Sequence, residues 1–370
     1  MKLLFLTQVL DRDDGVLGFC VRWIEEFAAH ADAVRVVALE VGNTGGLPAN
    51  VDWVEIGRKG RVGRYLKYRS TLRTAFAEGF DVVLAHMVPR YALVAARPSA
   101  RAGARLYLWY THKGVDARLR RAVTLVQKTF TASDESLRVE TPTRVVTGHG
   151  IDTDHFDLPP VDWSKPAQVL SVGRLTPKKD PLTLIRALAE VRSGGTSGGT
   201  SGSRDVRVDW VGGGLTTADV GFADEVRAAI AEAGVEDTFV LRGEVPYSAV
   251  QGYFESASVL VNASFTGSVD KVVLEAMAAR RAVLSCNESF PPIFAELDDA
   301  DAFGERAALG RSAWLTFAKG DAADLAAKLD ALLGQGPEVL AQLGEDLRTI
   351  VVRDHGVAQL CERLIREMEA

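Results

Sequence analysis

Short apolar runs alternate with stretches of helical spacing along most of the chain. Lys2–Thr7, Ala33–Leu39, Val51–Ile56, Asp81–Leu84, Arg105–Trp109, Lys128–Thr131 and Arg144–Val146 read as strands. Phe19–His30 and Lys67–Glu78 between them have the periodicity of helices. The series then restarts. Gln168–Val172, Val206–Val211, Phe239–Arg242, Val259–Asn262 and Ala282–Ser285 read as strands, Asp180–Val191 and Phe222–Ala233 as helices. Strand–helix alternation of this kind predicts an α/β protein with parallel sheets and crossover helices.

The segment between the two series, HFDLPPVDWSKPA, holds three prolines and few regular signals. It predicts an interdomain linker over 156–167, with domains at 1–155 and 168–355. Two domains also suit a chain of 370 residues. The last helical stretch, within 356–370, is expected to pack back on the first domain. The run SGGTSGGTSGS at 193–203 cannot bury apolar surface and predicts a flexible loop.

Composition narrows the picture. The chain is 47% hydrophobic and 25% charged, which is ordinary for a globular protein, and its formal charge of −6 argues against nucleic-acid binding. Cys20, Cys286 and Cys361 are far apart and form no disulfide framework, so a reducing cytoplasm fits best. The apolar start is too short for a signal peptide, and no stretch approaches the roughly 18 apolar residues of a membrane span. Any membrane contact is therefore expected to be peripheral, on the inner face of the cytoplasmic membrane.

Four segments of the second half carry chemistry. In LSVGRLTPKKDP a strand ends at Gly173 and Arg174, and Lys179 follows five residues later across a turn. Two cations at the carboxyl edge of an open sheet suit a diphosphate, although a solvated basic loop explains this segment equally well. VRVDWVGGG runs into Gly213 and FVLRGEVP into Gly243 and Glu244. Glycines there let a ligand approach the backbone, but taken singly each segment is weak evidence, and a tight turn explains the VRVDWVGGG glycines better. VLVNASFTGSVDKVVLEAMAA joins a buried strand to the turn Thr266-Gly267-Ser268 and then to a helix starting near Val269–Lys271. The N-terminus of that helix is an anion site. Glu275 lies four residues after Lys271 among apolar positions. A surface Lys–Glu pair is the plain alternative, but a carboxylate in apolar surroundings needs a partner, such as a ribose diol.

Together these segments, from about Val169 to Ser285, resemble the C-terminal domain of the retaining glycosyltransferases of family 4. The resemblance implies a GT-B fold, two Rossmann-like domains facing a central cleft. It implies transfer of a sugar from a UDP- or GDP-linked donor, with retention at the anomeric carbon and with neither metal nor cofactor. The acceptor is expected to be a glycan, a lipid-linked molecule or a small molecule. By matched position Arg174 and Lys179 hold the donor diphosphate. The Gly267–Ser268 turn with Val269 and Lys271 caps it, Glu275 binds the ribose, and Gly173, Gly213, Gly243 and Glu244 line the donor. The chain departs from the family's Glu-x7-Glu pattern: Gly267 stands where the first acid belongs, in TGSVDKVVLEAMA. Asp270 or the turn amides are the candidates to replace it against the sugar.

The first half matches less closely. Asp14-Gly15-Val16-Leu17-Gly18 follows the first strand, where the family has a glycine loop near donor phosphates and acceptor; a helix-capping turn accounts for it as well. His86 and His112 follow strands, and the resemblance assigns both to the acceptor side, with His112 contacting sugar and phosphate. The segment closes at His149-Gly150-Ile151-Asp152, like the family's Asn-Gly-Ile-Asp turn. Asp11-Arg12-Asp13 has the spacing of a metal motif but sits in the glycine loop.

Arg58–Arg73, RKGRVGRYLKYRSTLR, holds seven cations and no acid in sixteen residues. It predicts either a peripheral contact with anionic membrane or a solvated helix that turns Tyr65, Leu66 and Leu72 inward. Two rival functions stand beside the transferase: a nucleotide-sugar epimerase of the same fold, and a non-catalytic nucleotide-sugar-binding protein. A nicotinamide dehydrogenase is disfavoured, because no GxGxxG with a downstream acid follows the first strand.

Overall fold

The computed structural model describes residues 1–58, 60–194, 205–214, 217–265 and 267–370, and of 217–220 only their helical backbone. Most of the Gly/Ser/Thr loop, Lys59 and Thr266 of the polar turn lie outside the described residues. The chain divides into two units. The first comprises Met1–Asp152, Pro246–Ser248 and Asp354–Ala370; the second comprises Thr153–Val245 and Ala249–Arg353.

The first unit is built on seven parallel strands: β1 (Lys2–Leu10), β2 (Ala33–Val41), β3 (Val51–Glu55), β4 (Val82–His86), β5 (Arg105–Trp109), β6 (Thr129–Thr131) and β7 (Arg144–Val146), in the order β3-β2-β1-β4-β5-β6-β7. The order reverses between β1 and β4, and open sheets of this kind take ligands at the carboxyl ends of their strands around such a point. Helices α1 (Cys20–His30), α2 (Arg61–Ala77), α3 (Pro89–Ala102) and α4 (Ala117–Ala122) cover the sheet. One apolar layer joins Phe5, Trp23 and Phe27 to Val357, Leu360, Leu364 and Met368 of the last helix, Val357–Glu369. The other joins Leu4, Leu6, Val83 and Ala85 to Tyr68, Leu72 and Tyr91. At the 149–152 turn, Ile151 bridges Gly356, and Trp23 Nε1 donates to the Gly150 carbonyl at 2.9 Å.

Helix α2 begins six residues earlier than its periodicity suggests, at Arg61, and its inward face differs from the expected one. Tyr68, Leu72 and Ala75 are buried, whereas Val62, Tyr65 and Leu66 are 72%, 46% and 60% exposed. Leu66 sits roughly 200° round the helix from Tyr68 at about 100° per residue, so one cannot be buried on the same face as the other. Only Leu72 of the expected inward set therefore turns inward.

The second unit has five parallel strands: β8 (Ala167–Val172), β9 (Val206–Val211), β10 (Phe239–Gly243), β11 (Val259–Asn262) and β12 (Ala282–Ser285), ordered β10-β9-β8-β11-β12. Its helices include α5 (Pro181–Ser193), α6 (Thr217–Glu232), α7 (Tyr247–Ser256) and α8 (Lys271–Ala278). Here too the order reverses, at β8 and β11. Among the described residues, no helix is long and apolar enough to cross a membrane.

Candidate functional site

The carboxyl edge of the second sheet gathers most of the residues singled out in the second half. The Gly173 N–H donates to the Val211 carbonyl at 2.9 Å, Leu175 N–H to the Gly213 carbonyl at 3.1 Å, and Gly212 N–H to the Gly243 carbonyl at 2.7 Å. Three loops thus lie side by side with little side chain between them. Gly212 is obligatory there: its φ is +129°, and a Cβ would fall 2.2 Å from the Gly173 carbonyl oxygen. Glu244 packs beside Gly213 and is exposed.

The stem of Lys179 lies against Gly173, where a Cβ would come within 3.3 Å of it. Its ammonium donates to Asp270 Oδ1 at 2.8 Å. Asp270 also accepts from the side-chain amides of Asn262 (3.2 Å) and Asn287 (3.0 Å). Burial would raise the carboxyl, but the charge of Lys179 and hydrogen bonds from Lys179, Ser264 and Asn287 outweigh it and hold Asp270 below the usual carboxylate range. Asp270 occupies the N-cap position of α8, yet its side chain makes no capping bond, being committed to Lys179. Arg174, one residue beyond Gly173, is exposed.

Glu275 is 5% exposed, one turn into α8, among Val273, Leu274, Ala276 and Met277. Lys271 Nζ lies 3.8 Å from its carboxylate. The turn before the helix explains the departure at Gly267: φ there is +63°, a left-handed value that disfavours glutamate. Asn287 Nδ2 donates to the Ser268 carbonyl at 2.8 Å and so pins that turn, and Val269 is buried. Asn287 and Ser264 escaped the reading of the sequence. The only available signal for Asn287 was its place two residues beyond the end of β12.

In the first unit, Gly15 is exposed in a turn organised by Asp14, whose Oδ1 accepts from Val16 N–H (2.9 Å) and Leu17 N–H (2.6 Å). Asp11 and Asp13 are engaged by Asn43. His112 is exposed at the end of β5, its Nδ1 accepting from the Gly114 N–H at 2.9 Å. His86 does not fit the acceptor-side expectation. It is 1% exposed, stacked between Phe5 (5.5 Å) and Trp109 (5.4 Å), with Thr7 Oγ1 3.3 Å from its Nδ1. It sits at the last position of β4, and its ring turns into the core rather than past the strand end.

The folds and the second-unit edge have known counterparts. Residues 166–335 match the family model of the glycosyl transferases group 1. Over its whole length the chain resembles HepE of Anabaena in complex with UDP and glucose (17% identity, TM-score 0.72, all of both chains covered). It also resembles a glycosyltransferase from Rickettsia africae (14%, TM-score 0.73, covering 100% of this chain and 98% of the other). A third likeness is to sucrose-phosphate synthase from Thermosynechococcus elongatus (15%, TM-score 0.73, covering 100% and 99%). No curated protein is significantly similar in sequence. The fold is GT-B, two α/β units each on a parallel sheet. The family match falls almost wholly on the second unit, and the structural likenesses show the fold.

Proposed function

We propose that the protein is a retaining, metal-independent glycosyltransferase whose second unit holds the nucleotide-sugar donor. The observation that carries this reading is the convergence on one sheet edge of three open loops, the Lys179–Asp270 pair and the buried Glu275. Glycines at the edges of these loops admit a flat base and a diphosphate. Lys179 has three N–H donors and gives one to Asp270, leaving two for phosphate oxygens. The Lys179–Asp270 pair is neutral as a unit, so Arg174 brings net positive charge to face a leaving diphosphate. The N-terminal turn of α8, uncapped by Asp270, adds its dipole, and Glu275 accepts from the ribose hydroxyls.

Asp270 holds Lys179, and in this reading it does not replace the missing acid against the sugar. The turn amides around Gly267 take that part. His112 and the Gly15 turn serve the acceptor side in the first unit. The exposed Val62, Tyr65 and Leu66 beside the cations of α2 support peripheral contact with anionic membrane, where a lipid-linked acceptor resides.

Product analysis with a panel of UDP- and GDP-sugars tests the activity, and the anomeric configuration of the product tests retention. Glycoside formation that persists in chelator is expected, with kcat lowered in Arg174→Ala and Lys179→Ala. Donor epimerisation, or tight donor binding with no transfer to any acceptor, would overturn the reading.

A further inference from the structure

In the first unit, a cavity of about 380 Å³ is lined by residues of α2, α3 and α4 together with Leu39, near the carboxyl end of β2. Its polar lining is Arg61, Arg64, Arg90, Arg118, Tyr65, Tyr68 and Tyr91, with no carboxylate among the residues that line it. Arg61, Arg90 and Arg118 form no ion pair among the described residues, and Arg64 is satisfied only through the Arg58 carbonyl at 3.1 Å. Asp116 lines an adjoining recess of about 260 Å³, and its Oδ1 accepts the Leu119 N–H as the N-cap of α4.

Exposed arginines alone would be a solvated surface. The tyrosines point further. Tyr68 and Tyr91 are 5% and 7% exposed, their rings stack at 5.9 Å, and neither hydroxyl has a hydrogen-bond partner. A buried hydroxyl left unbonded is a cost that native folds avoid by giving it a protein, water or ligand partner. Burial pushes Tyr91 up to about 12, against the pull of Arg64, Arg58 and Arg90, so it stays a hydroxyl donor at neutral pH. Four guanidinium groups around such donors match the charge and the several acceptor oxygens of a phosphate.

We infer that this cavity is a phosphate-binding site of the first unit, and that the acceptor carries a phosphate ester or diphosphate seated on Arg61, Arg64, Arg90 and Arg118. The inference rests on the transferase reading for the word acceptor, but the site itself does not. The phosphate belongs either to a sugar phosphate or to a lipid headgroup reached along Val62 and Leu66.

The test is calorimetry with glucose 6-phosphate, on protein saturated with UDP to occupy the donor site. In parallel, the protein is co-sedimented with phosphatidylcholine vesicles with and without phosphatidic acid. Binding of the sugar phosphate, or preference for phosphatidic acid, is expected, and which of the two occurs names the source. Arg90→Gln and Arg118→Gln should each weaken that binding about tenfold, the scale of a charge-assisted hydrogen bond. Tyr68→Phe should weaken it about threefold while leaving the melting temperature unchanged or raised, since it removes an unbonded hydroxyl. Binding of neither probe, or binding indifferent to all three substitutions, overturns the proposal. Glu275→Ala separates the two readings, because it weakens nucleotide binding to the second unit and leaves the phosphate site intact.

Discussion

Lys179 and Asp270 are 91 residues apart in sequence and 2.8 Å apart at the mouth of the second sheet. Lys179 belongs to the turn after β8, Asp270 to the start of α8, so the pair ties together the two elements that flank the reversal in strand order. Asn287 adds a third element by donating both to Asp270 and to the Ser268 carbonyl.

Asp270→Asn should therefore act at a distance. It leaves the Lys179 ammonium, 17% exposed, without its charged partner, which for a buried pair costs about 3 kcal/mol. Asp270 is held below the usual carboxylate range in the folded chain, so its stabilising contribution is complete above about pH 4 and fades as pH falls through the folded value. Thermal melts between pH 2 and 7 should show a shallower acid limb in Asp270→Asn than in the wild type. Parallel limbs would mean that the pair contributes nothing to acid stability.

Glu275→Ala should weaken UDP or GDP binding by about 1–3 kcal/mol, the scale of hydrogen bonds to a charged group. Glu275→Gln should retain part of that affinity, since an amide oxygen still accepts. Calorimetry decides, and unchanged nucleotide affinity in both variants would remove Glu275 from the ribose site.

Gly267→Glu restores the acid of the family pattern and should nevertheless destabilise the protein. At φ +63° a side chain costs about 1–2 kcal/mol. Melting temperature should fall with no gain in turnover. A variant as stable as the wild type would show that this turn tolerates glutamate and that the departure has another cause.

Helix α2 should carry the protein to anionic vesicles at low salt and release it near 1 M, where the Debye length contracts to about 3 Å. Val62→Ser with Leu66→Ser should reduce co-sedimentation without altering the fold, because both side chains are exposed. Equal sedimentation with neutral and anionic vesicles would leave α2 as a solvated face.

All twelve strands lie where short apolar runs placed them; the central ones, buried on both faces of a parallel sheet, are nearly continuous in hydrophobicity. The glycine loops were legible for the same reason: a strand that ends in glycine shows on one line of sequence. The partners of the site residues were not. That Lys179 faces Asp270 rather than open solvent, and that Asn287 pins the Ser268 turn, depends on loops from different strands meeting in space. His86 illustrates the converse. Its place after an apolar run suggests a site, but only the folded core reveals the rings of Phe5 and Trp109 on either side of it. On α2 the boundary was hidden by the arginines of its first turns, which lack the apolar spacing by which helices are recognised.

The last helix has a consequence for synthesis. Val357, Leu360, Leu364 and Met368 complete the apolar layer that holds Trp23 and Phe27. On the ribosome, where chains emerge at about 5–20 residues per second, the second unit has all its strands and helices available before that layer can close. The first unit is thus the last to be finished, and until then the face of α1 that meets the last helix stays uncovered.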